Sequence, residues 1–452
     1  MLATAVLLPV SLSPSFAQLL TMEGAIEATL THYPTLAAQQ SALEVIRANA
    51  QAVHDNRLPN VRLHDQLNIG TANGLSGSYF SLGLIVPTSG GRRAENRSDL
   101  ASGNIALASM DWEVYNFGRF KAEDQLARTD IIVGESALDR EQFQLRQWVI
   151  TTYLDLLQLN QQLKIEQRNL ARADTVRRII TNLVRNGIKP GLDSSLVMVA
   201  VSKAKLTYWK LLENYQQTLV QLATLTGRPA GQLQIDTTFR LETALNLPSL
   251  SEADNNHPFL KYRENIARRQ NAEIEVIRKS PLPRISLLTA AWARGSSIDV
   301  ENNYGPLGKG LLYTRANVLV GAAFTVNLTD FRRSLHRIQM QRFRLQEANH
   351  QWAAEQVQLR NVMTAADSVM AVLQLELREL PVSLRSATDA YNSRLSRYNS
   401  GLENILEITD ALQLLASVEK EYVLTQIRAV KVHLQKACAT NHFDAFFSLF
   451  RR

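Results

Sequence analysis

A single cysteine, Cys438, stands in 452 residues. One thiol closes no disulfide and builds no cysteine metal site. The eight histidines are scattered, and no HExxH, GxSxG or P-loop spacing occurs. Protease, esterase and nucleotide-dependent chemistry each lack their minimal residue set. The seven methionines form no cluster of soft-metal ligands, which argues against a copper site. No catalytic residue, metal or cofactor is expected. The net charge of +7 is diffuse; without a dense Lys/Arg block interleaved with aromatics it gives no case for nucleic acid. Beyond residue 20 no run of about 18 apolar residues exists, so no transmembrane helix is expected.

What is present begins with the apolar run "LATAVLLPVSLSPSFAQ", which ends in Ser15-Phe16-Ala17. Residues 1–17 read as a secretory signal cleaved after Ala17. The run lacks a basic opening segment, so a truncated start is expected. No cysteine sits at the junction to carry a lipid anchor.

The rest of the chain repeats itself. Residues 33–63 align without a gap on 257–287: Pro34 meets Pro258, Leu36 meets Leu260, and Leu58-Pro59 meets Leu282-Pro283. Pro34 and Pro258 suit a first helical turn. Pro59 and Pro283 stop a helix and impose extended backbone before them. Farther on, "YNFGR" matches "TDFRR", and "NGIKPGLD" matches "SGLENILE". The chain therefore reads as a tandem duplication, with repeats at 18–240 and 241–452. A Gly/Ser/Asn-rich loop, Gly70 to Gly103, lengthens the first copy; "YFSLGLIV" within it reads as an extra strand or a folded-over loop segment.

Strands are expected at about 61–70, 104–116, 284–294 and 315–328. Val61, Leu63, Leu67 and Ile69 alternate with Arg62, His64, Gln66 and Asn68. Such period-two patterning marks a half-buried strand. It suits a lipid-facing barrel with a wet lumen, and equally a soluble sandwich. Helices argue against the sandwich. No proline occurs from Phe117 to Val184, where Val149, Leu156, Leu163 and Leu170 recur every seven residues. Ile338, Leu345, Trp352 and Leu359 do the same in the second copy. Heptads imply helices packed along their length. Each run is about 68 residues, or about 100 Å at ~1.5 Å per residue, and a kink is expected at Pro381. A glycine turn follows each run, and a shorter helix returns.

Two copies of short helix, strand, loop, strand, long helix, glycine turn and returning helix resemble the TolC family of outer-membrane efflux proteins. The local matches are "TMEGAIEATLTHYP", "WEVYNFGR" and "RYNSGLENILEITDALQLL". The resemblance implies a mixed α and β fold, mainly α. It implies a homotrimer whose long coiled-coil hairpins form an α-barrel in the periplasm. Four strands per protomer would contribute to a twelve-stranded transmembrane β-barrel. It implies an outer-membrane channel-tunnel, a passive exit duct for small molecules or polypeptides in efflux or type I secretion. Its partners would be a periplasmic adaptor, an inner-membrane transporter and outer-membrane lipid. The rival reading is a structural trimeric coiled coil, a surface or scaffold filament with small β caps.

The same resemblance assigns residues. Glu407 and Asp410 fall where acidic rings line the pore constriction; like charges brought together by threefold symmetry favour cations. As ordinary helix residues they would simply complement a helix dipole. Tyr398 and Asp193 match an entrance lock between hairpins. A basic residue of that lock is replaced here by Glu403, and Lys189 stands at the matching place of the first hairpin, so a reversed Lys189–Glu403 pair is the corresponding arrangement. Gly187, Ile188, Gly401 and Leu402, at the tips, are the adaptor contacts implied. Ordinary helix-turn chemistry also asks for both glycines.

Overall fold

The computed structural model describes residues 19–74, 94–237 and 256–450. The expected signal and the "YFSLGLIV" stretch lie outside them. A short strand β1 (Leu19–Leu20) leads into α1 (Met22–His32) and α2 (Pro34–Asp55). Strands β2 (Asn60–Gly70) and β3 (Ala101–Tyr115) follow, then the 67-residue α3 (Arg119–Arg185), α4 (Gly191–Thr226) and β4 (Gln234–Ile235). The same order recurs in α5 (Pro258–Lys279), β5 (Arg284–Ser296), β6 (Arg315–Thr325), the 72-residue α6 (Leu328–Asn399) and α7 (Ile405–Thr440). A short α8 (Asp444–Phe447) ends the described chain.

The end of β6 falls short of the expected 328 for a physical reason. Val326 and Leu328 continue the strand alternation, yet α6 begins at Leu328. Asn327 and the first-turn Asp330 are helix-start chemistry, and the Asp330 N–H donates to the Asn327 carbonyl. Pro381 does not end α6, which runs unbroken through it. The buried seam also moves. Leu145, Val149 and Leu156 are core residues, but farther along α3 Leu163 and Leu170 are only half-buried, while Ile165, Ala173, Val176 and Ile180 are buried. A helix of ~3.6 residues per turn drifts relative to a seven-residue repeat. In α6 the buried heptad is Leu359, Ala366, Leu373, Leu380 and Ala387.

The chain divides into two compact units. One comprises Val45–Ile132 and Ile266–Glu347. Its centre is an antiparallel sheet in the order β2-β3-β5-β6. Residues directly opposite across a ladder share a face, so the register sorts the side chains. Val61, Leu63, Leu67, Ile69, Met110, Trp112, Leu287, Ala291, Val318, Val320 and Phe324 share one face with Asp65 as its only charge within the paired strands. The other face carries Arg62, His64, Gln66, Asn68, Asp111, Glu113, Arg284, Arg294, Asn317 and Arg315 among smaller and apolar residues. The apolar face is open: Leu63, Val318, Val320 and Phe324 are among the most exposed hydrophobic side chains. The "WEVYNFGR" turn from β3 to α3 has left-handed backbone at Phe117 and Gly118. Arg119 closes it with bonds of 2.9 and 3.0 Å to the Glu113 carboxylate.

The other unit comprises Met1–Glu44, Val133–Asn265 and Ala348–Arg452. Its largest core gathers Ile150, Tyr153, Leu154, Leu157, Leu222, Ile427, Val430 and Phe446. The Tyr153 hydroxyl lies 3.0 Å from the Leu20 carbonyl and 2.9 Å from that of Asp236, which ties the parallel β1–β4 pair to α3. His257 is fully buried and caps α5: its Nδ1 accepts from the Phe259 N–H at 3.2 Å, and Nε2 faces the Cys438 carbonyl at 2.9 Å. That is a helix-start role. Cys438 is buried, and burial pushes its thiol up to about 12.

Candidate functional site

Both long helices end in the same turn. After α3, the Ile188 N–H bonds the Leu183 carbonyl and the Gly187 N–H bonds that of Val184. After α6, Leu402 bonds Arg397 and Gly401 bonds Tyr398 in the same pattern. These are Schellman closures, in which glycine supplies the left-handed residue; Gly187 has φ 73° and Gly401 φ 79°. The residue after each glycine is thrown outward. Ile188 is 63% exposed and Leu402 72%, and Leu192 and Leu406 nearby are also exposed. Four aliphatic side chains thus face solvent around the two turns.

Behind the turns, the hairpins meet around Tyr398. It is 1% exposed and packs with Val176, Ile180, Val197, Ile405 and Ile408. Its hydroxyl donates to Asp193 Oδ2 at 3.2 Å, joining the end of α6 to the first turn of α4. Burial first, then the facing Asp193 carboxylate, raise the phenol well above its ordinary range, so it remains a donor. Lys189 lies over the same ring, Nζ 4.7 Å from the centroid.

Lys189 and Glu403 do meet, but not as an ion pair. Lys189 Nζ donates to the Glu403 backbone carbonyl at 3.3 Å. The Glu403 carboxylate is instead held by Arg394 at 2.6 Å and Arg397 at 2.7 Å. The Schellman turn folds Glu403 back onto the last turns of α6, where both arginines wait. Arg394 also takes the Glu407 carboxylate. These arginines were not singled out from sequence; basic residues ending a helix read as dipole complement, and their targets become neighbours only once the turn closes.

Glu407 and Asp410 occupy different situations. Asn404 caps α7 by accepting from the Glu407 N–H at 3.1 Å. Glu407 is therefore both a first-turn acid and half of an ion pair. Asp410, one turn later, is exposed and has no ion pair among the described residues. No group of His, Cys, Asp and Glu that could hold a metal occurs among the described residues. Deeper between the hairpins, Arg172 grips Glu419 with contacts of 2.6 and 2.7 Å, linking α3 to α7.

A family profile described as "Outer membrane efflux protein" matches residues 25–228 and 249–431. The pyoverdine export outer membrane protein OpmQ of Pseudomonas putida is 25% identical over 343 residues, covering 74% of this chain and 69% of that protein. Its counterpart in Pseudomonas aeruginosa is 25% identical over 229 residues, 49% of this chain and 48% of that protein. The match thus spans about half the length of the second of these relatives. Among solved structures, the outer membrane protein VceC of Vibrio cholerae superposes with a TM-score of 0.73 at 16% identity, covering 93% of this chain and 95% of that one. At that identity the likeness speaks for the fold.

Proposed function

The chain belongs to the outer membrane efflux protein family, and from that premise we propose that it is the exit duct of a tripartite efflux or type I secretion system. Membership makes it an outer-membrane channel protein, not an enzyme. The finer reading is a homotrimer docked to a periplasmic adaptor and an inner-membrane transporter, which supplies the energy. Residues 1–17 are its export signal, and 18–240 and 241–452 are its two repeats. Relatives named for pyoverdine export favour a small exported molecule over a polypeptide.

One observation carries the duct: a four-stranded sheet with an exposed apolar face and two open edges, β2 and β6. Open edges leave backbone N–H and C=O groups unpaired, which lipid does not tolerate. Closing three copies into one barrel removes the edges and sets the apolar face to lipid. At the periplasmic end of that face stand Trp112 and Phe324, the side chains of an interfacial aromatic girdle.

In the helical hairpins, the Tyr398–Asp193 bond serves as the entrance lock, with Lys189 seated on the ring. Ile188 and Leu402, aimed outward by Gly187 and Gly401, form the adaptor contact. Asp410 supplies the uncompensated acid of the constriction ring; Glu407 stands beside it with Arg394 as counterion.

Single-channel recording in planar bilayers tests this. Wild-type protein is expected to give small, cation-selective conductance, and Glu407→Gln/Asp410→Asn to lose the selectivity. Unchanged selectivity would return both acids to helix-terminus duty. A well-folded oligomer that never inserts would remove the duct itself.

A further inference from the structure

The polar face of the sheet carries a feature that the duct does not require. Arg294 of β5 and Arg315 of β6 are directly opposite in the ladder. Like charges so placed repel and destabilise a sheet. Among the described residues no ladder partner compensates them. Their row continues through Ile105 of β3 to Gln66 of β2, and it contains no carboxylate. Both arginines are exposed and make no ion pair among the described residues. Asp65 is close in register but on the opposite face, where it accepts from the Tyr313 hydroxyl at 2.9 Å.

The acids of the polar face lie elsewhere. Asp111 pairs in register with Leu288, and Glu113 with Ser286. Leu288 is about 20 Å along β5 from Arg294 at ~3.3 Å per residue, well beyond the ~8 Å Debye length of physiological salt. Glu113 is in any case bonded to Arg119. Of this face's other basic groups, Arg62 of β2 and Arg284 of β5 stand toward the helix ends of their strands, and His64 lies near the middle of β2. The half of the strands remote from the helices is therefore basic on this face alone.

We infer that Arg294 and Arg315 form a binding ring for anionic solutes near the outer mouth of the lumen. The inference rests on the duct reading, which turns this face inward. Three protomers then bring two guanidinium groups each to one level of the barrel, with Trp292 and Asn317 on the adjoining row. Guanidinium groups bind carboxylate and phosphate oxygens through paired N–H donors. An anionic group on a leaving solute offsets the repulsion that the ladder builds in. The substrate class is an exported small molecule bearing carboxylate or phosphate, and the ring acts as its last station.

Block of the single-channel current by inorganic pyrophosphate, added from the side of the β-barrel, reads this ring. Compared with wild type, Arg294→Gln/Arg315→Gln is expected to raise the half-blocking concentration roughly tenfold, the scale of one lost charge-assisted hydrogen bond. Equal block of both proteins overturns the ring and leaves the duct intact. Absence of current from both proteins sinks the duct instead. Titration calorimetry of pyrophosphate into the detergent-solubilised full-length proteins then decides the arginines: weaker binding to the double variant supports the pair as an anion site, and equal binding overturns it.

Discussion

Tyr398 shows how much one hydroxyl can join. It is buried by residues of both hairpins and donates to Asp193 across them. Tyr398→Phe keeps the ring packing and removes the bond, so a loss of about 1 kcal/mol is expected, with a matching rise in channel conductance. The pH dependence has a definite sign. The folded phenol is held above its ordinary value, chiefly by burial. Its contribution is complete below the unfolded value of about 10 and is lost as pH rises through the folded one. Thermal melts across that alkaline range are expected to fall less steeply for Tyr398→Phe than for wild type. Parallel curves would mean that the hydroxyl is not coupled to hairpin stability. Tyr398 and Asp193 were reached through the resemblance to the TolC family, whose lock positions lie at these distances from the turn glycines. Arg394 and Arg397 were not, because their partner Glu403 is reached by a reversal of the chain rather than by a helical spacing.

The elements carry two kinds of glycine, and substitution separates them. Gly187 and Gly401 have open space where a Cβ would stand, so their requirement is conformational. Gly401→Ala is expected to cost about 1–2 kcal/mol, the penalty of a left-handed L-residue, measured by denaturant unfolding. At Gly295 the backbone is extended, but a Cβ would overlap the Leu312 carbonyl oxygen. Gly295→Ala must therefore displace the loop before β6, and it is expected to destabilise more than Gly401→Ala. The reverse order would contradict the packing of that loop on the sheet. Pro381 belongs to this scale too. A proline interior to a helix usually kinks or breaks it, yet α6 continues on both sides. Leu373 and Leu377 are buried with Ala429 and Val432 of α7 just before the proline, and this long packed seam outweighs one missing backbone bond.

For the whole molecule, the four strands pose the problem that assembly must solve. Among the described residues, edges β2 and β6 of a single copy have no partner within the sheet, and the apolar face is exposed. Sedimentation in detergent is therefore expected to show a trimer, with no stable monomer at accessible concentrations. A folded monomer that keeps its sheet would show that the edges are satisfied some other way.

Punctuation and periodicity were enough to read the order of elements. Prolines at 34, 59, 258 and 283 and glycines at 187 and 401 are local signals, because backbone sterics act over one or two residues. The alternation in β2 and β6 likewise needs no tertiary context, since side chains of a strand point alternately whatever lies beside it. Tertiary structure decided which residues meet. It placed Lys189 on a carbonyl rather than a carboxylate, gave Glu407 a counterion and, among the described residues, gave Asp410 none. It also set Arg294 opposite Arg315, 21 positions later in the chain. A charge's partner depends on which distant segments share a turn or a ladder row, and one residue of register changes the face of every side chain in a strand.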